Sequence, residues 1–331
     1  MGDTVNLAFV GTGGWALRYH FPTLEHLREE GVPLRLRGVT SPELEEADQV
    51  AERYGFEQVY SDLDAVMADE TVNAVAVAVP PAAAYEVVSR LVAMDVPIFS
   101  EKPPGISLNE AESLAETITV PNVVAFNRRY APLNNLFKTT VDTMTDITFV
   151  EGHFMRHERR DETFMIGTGI HWINFMTYLF GDIRHVRTTR LRNPMNETWM
   201  WIADLLFADG LRGSLKVFPC TGSQFERLEV HSNAQSAYLE GPLWTRPGRI
   251  VVERGTESRV ISPGSHAPEN GASEGDAPHR RKEPEFVRLG IAGEYREFIN
   301  AVLRGKPTRS NFQNAVNAMR VAEAMEYGFD F

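Results

Sequence analysis

A chain of 331 residues, 43% of them hydrophobic, is long enough for two domains with cores of their own and has the composition of an ordinary globular protein. A formal net charge of −12 argues against nucleic acid or an anionic membrane surface as the main partner, and a single cysteine, Cys220, excludes an intramolecular disulfide or a cysteine-rich metal site. No apolar stretch approaches the roughly 20 residues of a membrane span, and no signal peptide precedes the first strand, which makes the cytoplasm the expected location.

The first apolar run, Val5-Asn6-Leu7-Ala8-Phe9-Val10, reads as a buried strand and leads directly into Gly11-Thr12-Gly13-Gly14-Trp15-Ala16. This is a GxGxxA turn between a strand and a helix. Gly11 permits the tight turn, Gly13 lets the backbone approach a pyrophosphate, and Ala16 lets the helix pack on the strand. The helix start adds free N–H groups and a partial positive charge. Residues 34–40 form the second strand, and an acidic residue just past it would read the ribose of NAD. Ser41 stands there, followed by Pro42 and then Glu43 and Glu45. A serine lacks the carboxylate that repels a 2′-phosphate, so the expected cofactor is NADP or NAD, leaning to NADP, although no arginine sits beside Ser41 to bind that phosphate.

The alternation continues as in a doubly wound parallel sheet. Residues 73–79 are an almost unbroken apolar run, as a strand covered on both faces should be, and Pro80-Pro81 ends it. A helix is expected over 82–94 and a strand over 96–100, which delivers Glu101 and Lys102 to the same sheet edge as the glycine turn. Pro103-Pro104-Gly105 stops that strand, and Ser107-Leu108-Asn109-Glu110 has the form of a capping box. Residues 123–126 make a last short strand before Asn127-Arg128-Arg129-Tyr130. Ligands bind at the carboxyl edge of such sheets, and a lysine partly desolvated there can have its pKa lowered far enough to trade protons with a hydroxyl or carbonyl. Alone, Lys102 would read as a solvated strand-end charge; the glycine turn at the same edge favours the chemical reading.

Beyond Tyr130 the pattern changes to long strands of period two, at 146–157, 197–208, 211–218, 225–232 and 249–253, separated by Asp-Gly, Pro-Gly and Gly-Thr turns, which predicts an antiparallel sheet. A helix over 168–179 interrupts it. Residues 262–284 are polar and aperiodic and read as a surface excursion. Arg156, His157, Arg159 and Arg160 form a basic stretch able to hold a carboxylate or phosphate, though Glu158, Asp161 and Glu162 alternate with them. Trp199, Trp201 and Trp244 could stack on a sugar, with packing the favoured reading for the first two. No histidine spacing calls for a metal.

Taken together, the glycine turn, Val79-Pro80-Pro81, Glu101-Lys102-Pro103, the run from Phe126 to Pro132, and Gly167-Thr168-Gly169-Ile170-His171 occur in the order and spacing of the Gfo/Idh/MocA oxidoreductases, as does the ending through Gly305-Lys306-Pro307 to a final amphipathic helix. The chain resembles that family over essentially its whole length. The resemblance implies an α/β fold with an N-terminal Rossmann domain, residues 1–127, and a C-terminal α+β domain, residues 128–331, built on a large, mostly antiparallel open sheet, with the C-terminal helices able to pack back on the first domain. It implies an NAD(P)-dependent dehydrogenase or reductase of sugars or polyols, assembled as a homodimer or homotetramer, with a cofactor-binding sensor and an NAD-dependent glycosidase as alternatives also found in the family.

The resemblance also implies site residues. Gly11 to Ala16, Ser41, Pro80, Pro81, Glu101 and Lys102 would hold the cofactor. Lys102 and His171 would be catalytic, and Asn127, Arg128, Arg156, His171 and Asn174 would meet the substrate. Two positions depart from the family pattern. Gly167 stands where an aspartate would support His171, and Asn174 stands where an acid often follows it, so the lysine is expected to carry the proton transfer and His171 to orient the substrate.

Overall fold

In a computed structural model, which describes residues 3–244, 246–262 and 283–331, five short apolar runs assemble into one parallel sheet. They are β1 (Val5–Val10), β2 (Leu34–Thr40), β3 (Ala74–Val77), β4 (Ile98–Ser100) and β5 (Asn122–Val124), in the order β2-β1-β3-β4-β5. All four pairings are parallel. Every residue of β3 is buried, as its unbroken apolar run requires with helices on both faces. The crossovers are α1 (Phe21–Glu29), α2 (Leu44–Tyr54), α3 (Leu63–Met67), α4 (Pro81–Leu91) and α5 (Leu108–Thr117). The capping box expected at α5 is half made. Ser107 accepts from the Glu110 N–H at 3.3 Å, while the Glu110 carboxylate turns instead to the Ile106 N–H at 2.7 Å.

After α6 (Pro132–Asp142) the chain builds a second sheet from β6 (Ile147–Met155), β7 (Ile183–Arg192), β8 (Trp199–Phe207), β9 (Arg212–Phe218), β10 (Phe225–Ser232), β11 (Ser236–Glu240), β12 (Arg249–Arg254) and β13 (Glu257–Ile261). Its eight strands run in the order β13-β12-β11-β10-β6-β9-β8-β7, antiparallel throughout except for the β6–β9 pair. Three of them escape the sequence pattern. In β7 only Ile183 and Val186 are buried, β11 is five residues long with only Ala237 and Leu239 turned inward, and β13 is exposed except at its last residue, so none shows a sustained apolar alternation. The helix α7 (Ile170–Phe180), preceded by a π-helical turn over Met165–Gly169, lies on this sheet where Gly152 leaves room: a Cβ there would sit 2.9 Å from the Met176 sulfur and 3.0 Å from Trp172 Nε1.

The chain closes with α8 (Glu285–Arg288), α9 (Ile291–Arg304) and α10 (Phe312–Tyr327). Tyr295, Phe298 and Ile299 of α9 share a core with Val5, Leu7, Phe9 and Phe99 of the first sheet, so this late helix packs on the earliest strand. Phe312, Ala315 and Met319 of α10 join the core under α7, tying the two sheets together. The polar stretch expected at 262–284 falls, for residues 263–282, outside the described residues. Among the described residues no helix is long and apolar enough to cross a membrane, and no group of three or more His, Cys, Asp or Glu could hold a metal ion.

Candidate active site

Strand order reverses between β1 and β3, and ligands bind at such a switch point, outside the carboxyl ends of the strands. A cleft of about 910 Å³ opens there. From the first sheet it is lined by Gly11 to Ala16, Ser41, Pro80, Pro81, Glu101, Lys102 and Arg128; from the second region Arg156, Arg159, Thr168, His171 and Trp244 face them.

The glycine turn suits a close-lying phosphate. Gly11 has φ +103°, and a Cβ on it would meet the Ala78 carbonyl oxygen at 2.3 Å, so only glycine fits. A Cβ on Gly13 or Gly14 would meet nothing within 4 Å, which leaves the turn's backbone open to the cleft at the start of the helical segment that runs on into α1. The adenosine end departs from the expectation built on Ser41 alone. Glu43, Glu46 and Asp62 also line it; Glu43 Oε2 lies 3.5 Å from Ser41 Oγ, and Glu46 Oε2 accepts from Thr12 Oγ1 at 3.3 Å. The arginine on this wall, Arg90, is paired with Asp64 at 2.5 Å. Carboxylates so placed would repel a 2′-phosphate and could accept from a 2′-hydroxyl.

Lys102 is half-buried just past β4, and its Nζ donates to the Gly167 carbonyl at 2.9 Å. The residue that lacks the expected carboxylate thus contacts the lysine through its backbone. Burial pulls the lysine's pKa below its ordinary value, Glu101 opposes this, and Arg128 and Arg159 add to it. Glu101 is held from behind by His20, which sequence reasoning did not single out, together with Trp15 and the Lys102 backbone. Its Oε1 accepts from Trp15 Nε1 at 3.0 Å and contacts His20 Nε2 at 3.0 Å, and its Oε2 accepts from the Lys102 N–H at 3.1 Å. His20 is fully buried, with Nδ1 2.7 Å from the Tyr295 hydroxyl, whose proton burial and the neighbouring Glu101 hold in place. The Glu101 carboxylate calls for a proton on Nε2, and the Tyr295 hydroxyl closes the other side of the ring at Nδ1. Burial alone would raise the Glu101 carboxyl, but His20, Lys102 and Trp15 together hold it low. His20→Phe preserves the ring packing against Phe9, Phe99 and Tyr295 while deleting this donor. The expected result is that Glu101 protonates sooner on acidification and the acid-side loss of turnover moves to higher pH; an unchanged pH–rate profile would remove His20 from the site.

Arg128 and Arg156 converge on one carboxylate. Glu226, buried at the start of β10, accepts from Arg128 Nη2 at 2.7 Å and from Arg156 Nη2. Burial works to raise its carboxyl, and the two guanidiniums outweigh burial and hold it below the usual range. His171, buried near the start of α7, has its pKa driven well down by burial first and then by Arg128, Lys102 and Arg156, so its imidazole is uncharged at neutral pH. Its Nδ1 is buried with no hydrogen-bond partner among the described residues.

Two expected substrate contacts lie elsewhere. Asn127 does not line the cleft; its Nδ2 donates to the Leu289 carbonyl at 2.8 Å and its Oδ1 accepts from Arg128 at 2.7 Å, tying the chain to α8 and α9. Asn174 is fully buried and its Oδ1 accepts from Arg129 Nε at 2.6 Å, fixing α7 to the short helical turn Asn127–Arg129. His157 and Arg160 are exposed and outside the lining, whereas Arg159 reaches it. Trp201 is core, stacked on Phe164, and Trp199 is flanked by Arg190 and Arg192; only Trp244 of the three meets the cleft.

Comparison with known proteins agrees with this fold. A family described as an oxidoreductase family with an NAD-binding Rossmann fold matches residues 5–127. YceM of Salmonella typhimurium, which carries an oxidoreductase name, is 26% identical over 330 residues, 97% of either chain. Among solved structures, a levoglucosan dehydrogenase in complex with NADH and levoglucosan superposes with a TM-score of 0.79 at 17% identity over 98% of this chain and 97% of its own. The UDP-N-acetylglucosamine 3-dehydrogenase GnnA of Acidithiobacillus ferrooxidans gives a TM-score of 0.77 at 16% identity over 99% and 98%.

Proposed function

This chain belongs to the Gfo/Idh/MocA oxidoreductase family, its NAD-binding Rossmann fold lying in residues 5–127, and we propose that it moves a hydride between NAD(H) and a secondary alcohol of a sugar or cyclic polyol. The observation that carries this reading is the convergence of Lys102, His171 and the Gly11–Ala16 turn on one cleft. When bound, the nicotinamide supplies the acceptor or donor of the hydride. The turn's backbone N–H groups would hold the pyrophosphate, with Gly13 and Gly14 leaving it room.

Lys102 does the proton work. In the oxidising direction it takes the hydroxyl proton as the carbinol C–H gives up its hydride, leaving a ketone; in reduction it returns the proton to the oxygen. Its lowered pKa makes the uncharged amine accessible, and the Gly167 carbonyl holds Nζ at a fixed point. The uncharged imidazole of His171 lines the cleft and can bind an adjacent hydroxyl. The Gly167 carbonyl's hold on the ammonium supports turnover over a non-catalytic sensor. A screen of sugars and polyols with NAD and NADP, read by absorbance of the reduced nicotinamide, tests the reading: one substrate class should turn over. Nicotinamide binding with no turnover across the screen would leave the sensor.

For the cofactor we expect NADH to bind at least about tenfold more tightly than NADPH, because Glu43, Glu46 and Asp62 line the adenosine end. Glu43→Arg, which exchanges a repelling carboxylate for a phosphate partner, should close that gap. Fluorescence titration of both proteins with both cofactors checks it, and equal wild-type affinities would put the discriminating groups elsewhere. We place the contact between copies of this chain, a homodimer or homotetramer, on the open face of the second sheet, where Glu151, His153, Lys216 and Glu229 are half-buried.

A further inference from the structure

The two ends of the cleft differ in charge. The adenosine end carries Glu43, Glu46 and Asp62, while the other end presents Lys102, Arg128, Arg156 and Arg159. The carboxylate lining that second end, Glu101, already receives Trp15, His20 and the Lys102 N–H. Glu226 does not line the cleft; it lies behind the two arginines and supplies one negative charge to their two positive ones.

We propose that the reacting sugar carries an anionic group, a carboxylate or a phosphate, that seats on Arg128 and Arg156; the inference rests on the hydride-transfer reading above. Neither guanidinium uses all its N–H groups on protein. Arg156 gives one to the Met155 carbonyl and one to Glu226, and Arg128 gives its donors to Asn127 and Glu226, so both keep N–H groups for a ligand in the planar fork that suits carboxylate and phosphate oxygens. Burial pushes the Arg156 guanidinium down to about 10 despite Glu226, so its charge is only partly met by the protein. A neutral sugar can offer those donors hydroxyl oxygens but no charge, so it would leave the excess positive charge of the two buried guanidiniums unmatched, which an anionic group would not. Arg159, half exposed and paired with Asp161 at 2.5 Å, stands at the entrance and contributes less.

The test titrates NADH-saturated protein by calorimetry with D-glucuronate, D-gluconate and glucose 6-phosphate, each against an uncharged counterpart, D-glucuronamide or D-glucose. Saturation keeps the cofactor's own phosphates out of the comparison. At least one acid should bind about tenfold or more tightly than its counterpart, and whether the carboxylates or the phosphate show it identifies the group. Arg156→Met should remove most of that preference while leaving Arg128 and Glu226 as a one-to-one pair with no unmatched buried charge; should it fold poorly, Arg128→Met leaves the other pair. Equal binding of acids and neutral counterparts, binding of no acid, or a preference that survives in whichever of these variants folds overturns the proposal. Hydride transfer is read separately by nicotinamide absorbance. A preferred acid that is never oxidised counts against the dehydrogenase reading and leaves this one standing, whereas turnover of neutral sugars alone does the reverse.

Discussion

Lys102→Met is expected to lower turnover by about 10²- to 10⁴-fold, the range for loss of a general acid–base, with the affinity for NADH nearly unchanged. Methionine keeps most of the side chain's length and apolar bulk, so the half-buried position past β4 is filled much as before, but the proton and the charge are gone. The turn that would carry the pyrophosphate lies on β1 and is untouched. The Gly167 carbonyl loses its Nζ donor, a local change at a half-buried residue. Lys102→Arg separates the two things lysine supplies: the guanidinium keeps the charge but does not give up its proton, so it should be almost as inactive as methionine if proton transfer is the role and substantially active if only positive charge is needed. Steady-state kinetics with an identified substrate, beside fluorescence titration of NADH, decides it. Near-normal turnover in a folded methionine variant would take Lys102 out of the mechanism.

How far the site was legible in the sequence follows from how local each signal is. Strand ends, glycines and prolines report local backbone geometry, so the turn at Gly11, the stop at Pro80-Pro81 and the placement of Lys102 could be read from neighbours alone. Partners brought in from distant segments could not. His20 reads as one more residue on an apolar helix face, and its link to Glu101 depends on α9 returning Tyr295 to the first sheet. Glu226 had a usable signal: in Phe225–Ser232 the inward positions are Glu226, Leu228 and Val230, and a carboxylate heading an apolar row of period two needs a buried cation. Asn127 and Asn174 stand outside the cleft lining for the opposite reason, since the resemblance fixes where they stand in the chain and not what Arg128 and Arg129 draw them into. Ser41 shows the limit of reading one position, because Glu46 and Asp62, which line the same cleft, come from α2 and the segment before α3.

Glu226→Ala should lower folding stability by about 3–5 kcal/mol, the range for stripping the partner from a buried ion pair. The direction follows from burial: Arg156 and Glu226 are each about 2% exposed, so two guanidiniums would stay desolvated with no carboxylate between them. Glu226→Gln, which keeps an acceptor and drops the charge, should lose less. The pair also sets a pH window. Its folded carboxyl lies below the ordinary glutamate value, so the stabilisation is fully present above that ordinary value, near pH 4.3, and is lost as pH falls through the lower folded one. Wild-type stability from urea melts should therefore drop on acidification through this window more steeply than that of Glu226→Ala, and the two curves should converge toward low pH. A loss at neutral pH of under about 1 kcal/mol, the scale of an exposed pair, with parallel pH curves, would mean that the arginines swing out to water when Glu226 is gone. They would then be mobile surface charges, and neither the fixed cleft wall nor its preference for an anionic sugar could rest on them.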